Sequence, residues 1–275
     1  MEIWEILKSI LFGIIQGITE WLPVSSTGHM ILADEFVKLN VSEQFRNLFM
    51  VVIQFGSILA VIVLFFHKLN PFSPKKNMQE KKDTVTLWMK VLVAVVPAGI
   101  IGVLFKDQIQ SVFYNCPVIA AALIVYGIAF ILIENRKRKP AISSFQDMSY
   151  KTALLIGAFQ VLALIPGTSR SGATIIGAVL LGTSRPIAAE FSFFLAIPTM
   201  LGASLWELKD AGFAFTGNEW MILIVGMVTA FIVSLFAIKF LMEFVKKHDF
   251  KPFGYYRIIL GVLVLLLYFM GVVQA

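Results

Sequence analysis

Two short polar segments interrupt apolar stretches of the chain, and their side chains are of the kinds that handle phosphate. The first segment, EWLPVSSTGH at 20–29, places Glu20, Ser26 and His29 within ten positions. Gln16 lies four residues before Glu20, so on a helix these two side chains share one face. A carboxylate within an apolar segment is costly and rarely faces lipid. This segment therefore predicts a buried polar site that includes Glu20 and His29.

The second segment, PGTSRSG at 166–172, places an arginine between two apolar runs. Pro166 and Gly167 break the helix, and no acidic residue lies near Arg170 in the sequence. An arginine at membrane depth needs an anionic partner. That partner is either Glu20 or a phosphate that the guanidinium grips with two hydrogen bonds. The residues alone leave both alternatives open.

Both segments also supply hydroxyl groups and helix starts, which suit an anion. Backbone N–H groups and the positive end of the helix dipole attract anions at a helix N-terminus. The side chains that we expect to bind substrate are Gln16, Ser25, Thr27, Ser169, Ser171 and Thr174. The pattern therefore predicts a phosphate site where the two segments meet.

Glu20, Ser26, His29 and Arg170 have the properties that phosphate cleavage requires, and we predict them as the catalytic set. Cleavage needs charge neutralisation, a nucleophile and a proton carrier. Ser26 would attack phosphorus or position a water, and spacing does not decide between these. His29 would carry the proton, because its unperturbed pKa lies near neutrality. Glu20, with Gln16 beside it, would hold a hard divalent cation that bridges the phosphates.

The apolar stretches around these segments predict an all-α integral membrane protein. Of the 275 residues, 58% are hydrophobic and only 15% are charged, against about 25% in a typical soluble domain. A membrane crossing needs about 20 apolar residues. Six runs are long enough, and they lie at about 48–66, 85–105, 116–134, 187–206, 219–242 and 255–274. Arg257 falls toward the end of the last span, where we expect its side chain to reach the interface.

Lysine and arginine are concentrated in three loops, which predicts how the chain is threaded. The loops at 67–84 and 135–151 and the loop after the fifth span are basic, whereas 107–115 and 207–218 carry one lysine between them. Basic loops mark the cytoplasmic side. They all fall on one side only if each interrupted stretch returns to the side from which it entered. We therefore expect six transmembrane helices, two re-entrant helical hairpins, and both termini outside. The net charge of +6 serves this topology, so no nucleic-acid partner is predicted.

The two interrupted stretches resemble each other, which indicates an internal repeat. GIIQGITEWLPVSSTG at 13–28 aligns with GAFQVLALIPGTSRSG at 157–172. Three spans follow each stretch, and an odd number of crossings forces two units into opposite orientations. A single membrane domain, 1–275, would thus contain an inverted-topology repeat of about 1–140 and 150–275.

The two motifs resemble those of the undecaprenyl-diphosphatase family, the bacitracin-resistance type of membrane phosphatase. That family shows Glu or Gln, three residues, Glu, and then Pro-Val-Ser-Ser-Thr-Gly-His, which is matched by Gln16, Glu20 and residues 23–29. Its second pattern, Pro-Gly-x-Ser-Arg-Ser-x-x-Thr, is complete at 166–174. The similarity extends over the whole chain in length and span layout. The family also accepts Glu at position 16, and the neutral amide of Gln16 would be a weaker cation ligand.

The resemblance implies removal of the terminal phosphate from undecaprenyl diphosphate, which recycles the lipid carrier for peptidoglycan and other wall polymers. It further implies a location in the bacterial cell membrane, a site open to the outer face, and Mg²⁺ or Ca²⁺ as cofactor. In the family the essential residues would be Glu20, Ser26, His29 and Arg170. The expected partners are the polyprenyl diphosphate and membrane lipids, and a homodimer is compatible with the sequence.

Other functions fit less well. A phosphatase of the phosphatidic-acid type would need a histidine five residues beyond a Ser-Arg pair, and the corresponding position holds Ile176. A structural membrane protein would not explain Glu20, His29 and Arg170 together. A polyprenyl-phosphate transporter or flippase stays the alternative, because inverted repeats with broken helices are typical of transporters.

Overall fold

The protein is helical throughout the part of the chain that the structure, a computed structural model, describes. It describes residues 3–136 and 139–273, apart from the side chains of residues 106 and 110. The helices are α1 (Ile3–Thr19), α2 (Ser26–Phe36), α3 (Glu43–Leu64), α4 (Phe66–Leu69), α5 (Met78–Phe113), α6 (Cys116–Asn135), α7 (Tyr150–Val161), α8 (Arg170–Leu180), α9 (Arg185–Ala211), α10 (Gly217–Lys247) and α11 (Lys251–Phe269).

Six helices are long and apolar enough to cross a membrane, judged by length and composition: α3, α5, α6, α9, α10 and α11. They coincide with the six predicted spans, which confirms that prediction. Large apolar side chains cover their outer surfaces, among them Val103, Phe236, Phe240 and Phe269. A soluble monomer rarely exposes a continuous apolar surface of this kind. The protein is therefore a multi-pass membrane protein whose outer apolar surface faces lipid.

Each interrupted stretch forms two short helices with a break between them. Residues 20–25 separate α1 from α2, and a 3₁₀ turn at Leu162–Leu164 followed by residues 165–169 separates α7 from α8. The breaks contain Pro23 and Pro166, as the sequence predicts. The second helix of each pair begins inside the polar segment, at Ser26 and at Arg170, and a serine caps each start.

The two capping serines share an unusual, positive φ. Ser25 has a φ of 74° and Ser169 a φ of 72°, and they are the non-glycine residues of positive φ in the described chain. The hydroxyl of Ser25 accepts from the N–H of Gly28 at 3.3 Å, and that of Ser169 accepts from Gly172 at 3.1 Å. A side-chain cap of this kind satisfies a free N–H of the first helical turn.

The helices pack in pairs that place the two breaks together in the interior. α1 and α3 both pack on α10, and α7 and α9 both pack on α5. In addition, α6 packs on α11, and α3 packs on α9. Close approach requires glycine at two of these crossings. A Cβ at Gly56 would lie 2.1 Å from the carbonyl oxygen of Met227, and a Cβ at Gly157 would lie 2.1 Å from that of Ala94. Small residues let membrane helices approach in this way.

Candidate active site

The carboxylate of Glu20 is the point at which the predicted site residues converge. Its Oε1 accepts from Nη2 of Arg170 at 3.1 Å. Its Oε2 accepts from Nε2 of Gln16 at 3.0 Å and from Oγ of Ser26 at 2.9 Å. Glu20 and Arg170 are 150 positions apart in the chain, so the tertiary fold brings the two breaks into direct contact. The sequence left two possible partners for Arg170, Glu20 and a phosphate, and the structure shows the contact with Glu20.

The guanidinium of Arg170 is fixed by contacts on several sides. Nη1 donates to the carbonyl oxygen of Ser192 at 2.7 Å, and the ring of Trp21 lies 5.8 Å from the guanidinium carbon. Nε is buried and has no hydrogen-bond partner among the described residues. A buried donor without a partner is costly. Arg170 therefore retains hydrogen-bonding capacity beyond its contact with Glu20.

Ser26 and Glu20 form a hydroxyl–carboxylate pair. Ser26 is the first residue of α2, and its half-buried hydroxyl donates directly to Oε2 of Glu20. A nucleophile and a base within hydrogen-bond reach are the geometry that activates a serine. Here the proton acceptor in contact with Ser26 is Glu20, whereas sequence reasoning considered His29 for that task.

His29 is oriented by two partners, and one of them was not predicted. Its Nδ1 lies 2.7 Å from the carbonyl oxygen of Ser25, and its Nε2 lies 2.6 Å from the hydroxyl of Tyr256. The two rings stack at 5.6 Å between centroids with an interplanar angle of 2°. Since a carbonyl oxygen only accepts, Nδ1 carries the hydrogen, and Nε2 of the neutral ring accepts from Tyr256. No short-range sequence signal links Tyr256 to position 29.

The remaining predicted hydroxyls make contacts within the protein. Ser171 donates to the carbonyl oxygen of Glu20 at 3.1 Å. Thr174 donates to the carbonyl oxygen of Arg170 at 2.9 Å and bonds the hydroxyl of Ser192 at 2.7 Å. Ser25 and Ser169 are the helix caps, and Thr27 is half-buried in the first turn of α2. These contacts hold the two breaks in register, and a role of these side chains in substrate binding stays a prediction.

The expectation for Arg257 is wrong, because its side chain is fully buried rather than placed at the interface. It donates to the carbonyl oxygens of Pro23 at 3.2 Å, Gly167 at 2.8 Å and Thr168 at 2.9 Å. Backbone carbonyls in a helix break have lost their helical donors and must find others. Arg257 therefore connects the first break to the second. The signal in the sequence was an arginine within an apolar span, which we assigned to the interface by its position alone.

Oxygen atoms dominate the donor set for a cation. The described residues contain no group of three or more His, Cys, Asp or Glu that would hold a metal. One carboxylate, Glu20, lies beside the amide of Gln16. Mg²⁺ commonly binds through one or two carboxylates together with the phosphates of a substrate and several waters. The donor set fits an ion of that kind and does not fit an all-protein cage.

Known proteins resemble this chain over nearly its whole length. The family model described as bacitracin resistance protein BacA matches residues 9–263. Undecaprenyl-diphosphatase 1 of Clostridioides difficile (strain 630) is 65% identical over 266 residues, which are 97% of both chains. The undecaprenyl-diphosphatase of Acetivibrio thermocellus is 60% identical, over 98% of this chain and 99% of the relative. That of Enterococcus faecalis is 60% identical, over 97% of this chain and 98% of the relative. The chain belongs to the BacA family of bacitracin resistance proteins.

Proposed function

We propose that this protein hydrolyses undecaprenyl diphosphate to undecaprenyl phosphate and inorganic phosphate, which recycles the lipid carrier for cell-wall synthesis. Its relatives at 56–65% identity are named undecaprenyl-diphosphatase, and these names support the substrate and the reaction. The observation that carries the proposal within the chain is the contact of Glu20 with both Arg170 and Ser26. A flippase gains no support, because the relatives are named for a diphosphatase activity.

The terminal phosphate would bind between the starts of α2 and α8. Arg170 would neutralise charge that develops on the phosphate oxygens. The N–H groups of the two helix starts add donors that cost no reorganisation during the reaction. Some contacts of Arg170 with Glu20 would be exchanged for contacts with phosphate. The unpartnered Nε of Arg170 supports this exchange.

In the reaction, the oxygen of Ser26 attacks the terminal phosphorus, or Ser26 orients the water that does so. The P–O bond to the lipid phosphate breaks, and undecaprenyl phosphate leaves. Oε2 of Glu20 accepts the proton of the attacking hydroxyl, since it already accepts a hydrogen bond from Ser26 at 2.9 Å. His29 and Tyr256 exchange a proton with the phosphate oxygens on the other side of the site. If a phosphoseryl group forms, water hydrolyses it with the same residues.

A divalent cation, Mg²⁺ or Ca²⁺, would be held by the carboxylate of Glu20 and the amide oxygen of Gln16. When bound, it would withdraw charge from the diphosphate. Gln16 now donates its amide nitrogen to Glu20 at 3.0 Å, so its oxygen is the atom that remains for a cation. One carboxylate and one amide imply weak binding without substrate.

The fold that we propose for this chemistry is an inverted repeat with two re-entrant hairpins in one domain. The six packing pairs described above are mapped onto one another or onto themselves when α1 is exchanged with α7, α3 with α9, α5 with α10 and α6 with α11. The matching caps at Ser25 and Ser169 obey the same exchange. Together with the basic loops, this symmetry supports hairpins that enter from opposite leaflets of the cell membrane. Both termini and the opening of the site would then lie outside.

Release of inorganic phosphate by purified full-length protein in detergent tests the function directly. We expect phosphate release from undecaprenyl diphosphate that stops after removal of divalent cations with EDTA and returns when Mg²⁺ or Ca²⁺ is added. A membrane potential or a second compartment is absent in this assay, so a pure transporter would give no release. Absence of hydrolysis with either cation would refute the proposed activity.

A further inference from the structure

A cavity with a basic lining lies away from the Glu20 cluster, at the opposite end of α8. It has a volume of about 580 Å³ and is lined by the end of α6, residues 139–141, the turn between α8 and α9, and the end of α10. Arg170 begins α8 and Leu180 ends it, so about 15 Å of helix separates the two sites. None of the residues that line this cavity takes part in the Glu20 cluster.

Unpaired positive charge distinguishes this cavity. Four basic residues line it: Arg136, Lys139, Arg185 and Lys246. The one acidic residue of the lining, Glu134, is occupied, because it accepts hydrogen bonds from Nε of Arg185 at 2.9 Å, from Nη2 of Arg185 at 2.5 Å and from the N–H of Phe250 at 3.1 Å. Lys246 pairs with Glu243.

Arg136 and Lys139 are left over after these pairs are counted. Within the described residues, neither of them makes an ion pair, so the cavity carries excess positive charge. The backbone beside them is well fixed. The N–H groups of Ala141 and Ile142 donate to the carbonyl oxygen of Gly182 at 2.9 and 3.0 Å, and the N–H of Ser184 donates to Ile142 at 2.8 Å. The segment after Lys139 is therefore attached to the turn that begins α9.

The turn that begins α9 contains a buried hydroxyl that has no hydrogen-bond partner within the described part of the chain, and a ligand that approached it would satisfy this group. Thr183 lines the cavity and is 4% exposed, and its Oγ1 has no hydrogen-bond partner among the described residues. Leaving such a group unsatisfied costs free energy. The next residue, Ser184, is the N-cap of the 27-residue α9, and its side chain makes no capping bond. Pro186 has no N–H, and that of Ala188 donates to the carbonyl oxygen of Ser184. The N–H groups of Arg185 and Ile187 are therefore the ones that this helix start offers to an anion.

We propose that this cavity binds a phosphate group, through Arg136, Lys139, the hydroxyl of Thr183 and the N-terminus of α9. The phosphate is either inorganic phosphate or the headgroup of an anionic lipid. Basic pockets between membrane helices are suited to such headgroups. The apolar wall formed by Ile133, Val179 and Leu181 would accommodate the carbon atoms next to a lipid phosphate. The site does not depend on the hydrolytic function proposed above, because it shares no residue with the catalytic cluster.

Calorimetric titration of the purified full-length protein in detergent tests the site with two probes, inorganic phosphate and dioctanoyl phosphatidic acid. Thr183→Val removes the hydroxyl at nearly constant shape, and Arg136→Gln/Lys139→Gln removes the unpaired charge. Lys75→Gln/Lys151→Gln is the control, since it removes the same charge from exposed positions. Any binding at the catalytic cluster is common to all variants, so only differences from the control matter.

We expect both cavity variants to bind phosphatidic acid at least about tenfold more weakly than the control, the effect of losing one or more charge-assisted hydrogen bonds. If inorganic phosphate binding falls as well, the site accepts the free anion; if only phosphatidic acid binding falls, the ligand is a lipid headgroup. Thermal midpoints without ligand identify a variant that fails to fold, and Thr183→Val then carries the test. Unchanged affinity of both folded variants for both probes would overturn the proposal.

Discussion

Ser25 and Ser169 both have a positive φ at corresponding positions of the two breaks. Their φ angles differ by two degrees, 74° and 72°, and each hydroxyl caps the helix that follows it. Positive φ costs about 1 kcal/mol or more for a residue with a Cβ. This strain is present at both serines. The turn that it accompanies places Ser26 and Arg170, each the first residue of its helix, beside Glu20.

Replacement of Ser25 separates the capping hydroxyl from the backbone strain. Ser25→Ala keeps the strain and loses the cap, so we expect a loss of about 1 kcal/mol in unfolding free energy. Ser25→Gly loses the cap and relieves the strain, so stability should stay near wild type. Ser149 caps α7 at an ordinary φ of −76° and provides the control pair. In one detergent, the thermal midpoints of the Ala and Gly variants should differ more at position 25 than at position 149. Equal differences at the two positions would contradict the strain argument.

Loss of the carboxylate or the guanidinium at the centre of the site should nearly abolish hydrolysis. For Glu20→Gln and for Arg170→Lys we expect kcat to fall by about 10²–10³, the usual effect of removing one preorganised electrostatic group. Because the two groups touch, Glu20→Gln/Arg170→Lys should lose much less than the product of the single effects. Phosphate release from undecaprenyl diphosphate is the measurement. Glu243→Gln, at an exposed carboxylate, is the control, and site variants that match its rate would disprove the assignment.

Tyr256 should act through its hydroxyl on His29. Tyr256→Phe keeps the stacked ring and removes the hydrogen bond of 2.6 Å. We expect kcat to fall by about tenfold, at the low end of the contribution of a positioned acid–base group, with an unchanged thermal midpoint. Tyr255→Phe changes a neighbouring exposed hydroxyl and should leave kcat as it is. If the two variants have the same kcat, Tyr256 has no role beyond packing.

Arg257 should both stabilise the fold and hold the two breaks in position. Arg257→Met leaves three buried carbonyl oxygens without a donor, at about 1–3 kcal/mol for each group that water does not reach. We expect a lower thermal midpoint and a lower kcat, with partial recovery in Arg257→Lys because an ammonium still reaches some of these oxygens. Lys239→Met, on an exposed position of α10, should change neither. A stable, fully active Arg257→Met would contradict the view that Arg257 holds the two breaks together.

The threading of the chain is open to a labelling test, because the chain has a single cysteine. In a Cys116→Ala background, Lys75→Cys and Asn218→Cys place thiols in exposed positions of a basic and a non-basic connection. In whole cells, an impermeant thiol reagent should label Asn218→Cys and reach Lys75→Cys only after the membrane is opened. The reverse pattern would invert the proposed orientation, and labelling of both in intact cells would refute the positive-inside argument.

Features that depend on residues close together in the sequence could be predicted. The six long spans follow from continuous apolar runs, since a helix that crosses lipid must satisfy its backbone internally and present apolar side chains outward. Both breaks follow from Pro23 and Pro166, because proline removes a helical hydrogen bond and, unlike Pro97 and Pro198 inside α5 and α9, each is followed by a run of hydroxyl residues and glycine. The positive φ of the two capping serines did not follow, because such a cap is uncommon and no propensity predicts it.

Contacts between distant segments of the chain could not be predicted from the sequence. The sequence by itself determined which residues could handle a phosphate and that they lie in two broken apolar stretches, because composition and spacing are properties of the chain. Only the tertiary structure decided that Glu20 is the partner of Arg170, that Tyr256 orients His29, and that Arg257 is buried between the breaks. Each of these contacts joins residues at least 89 positions apart, and only the packing of the helices brings them within hydrogen-bond distance.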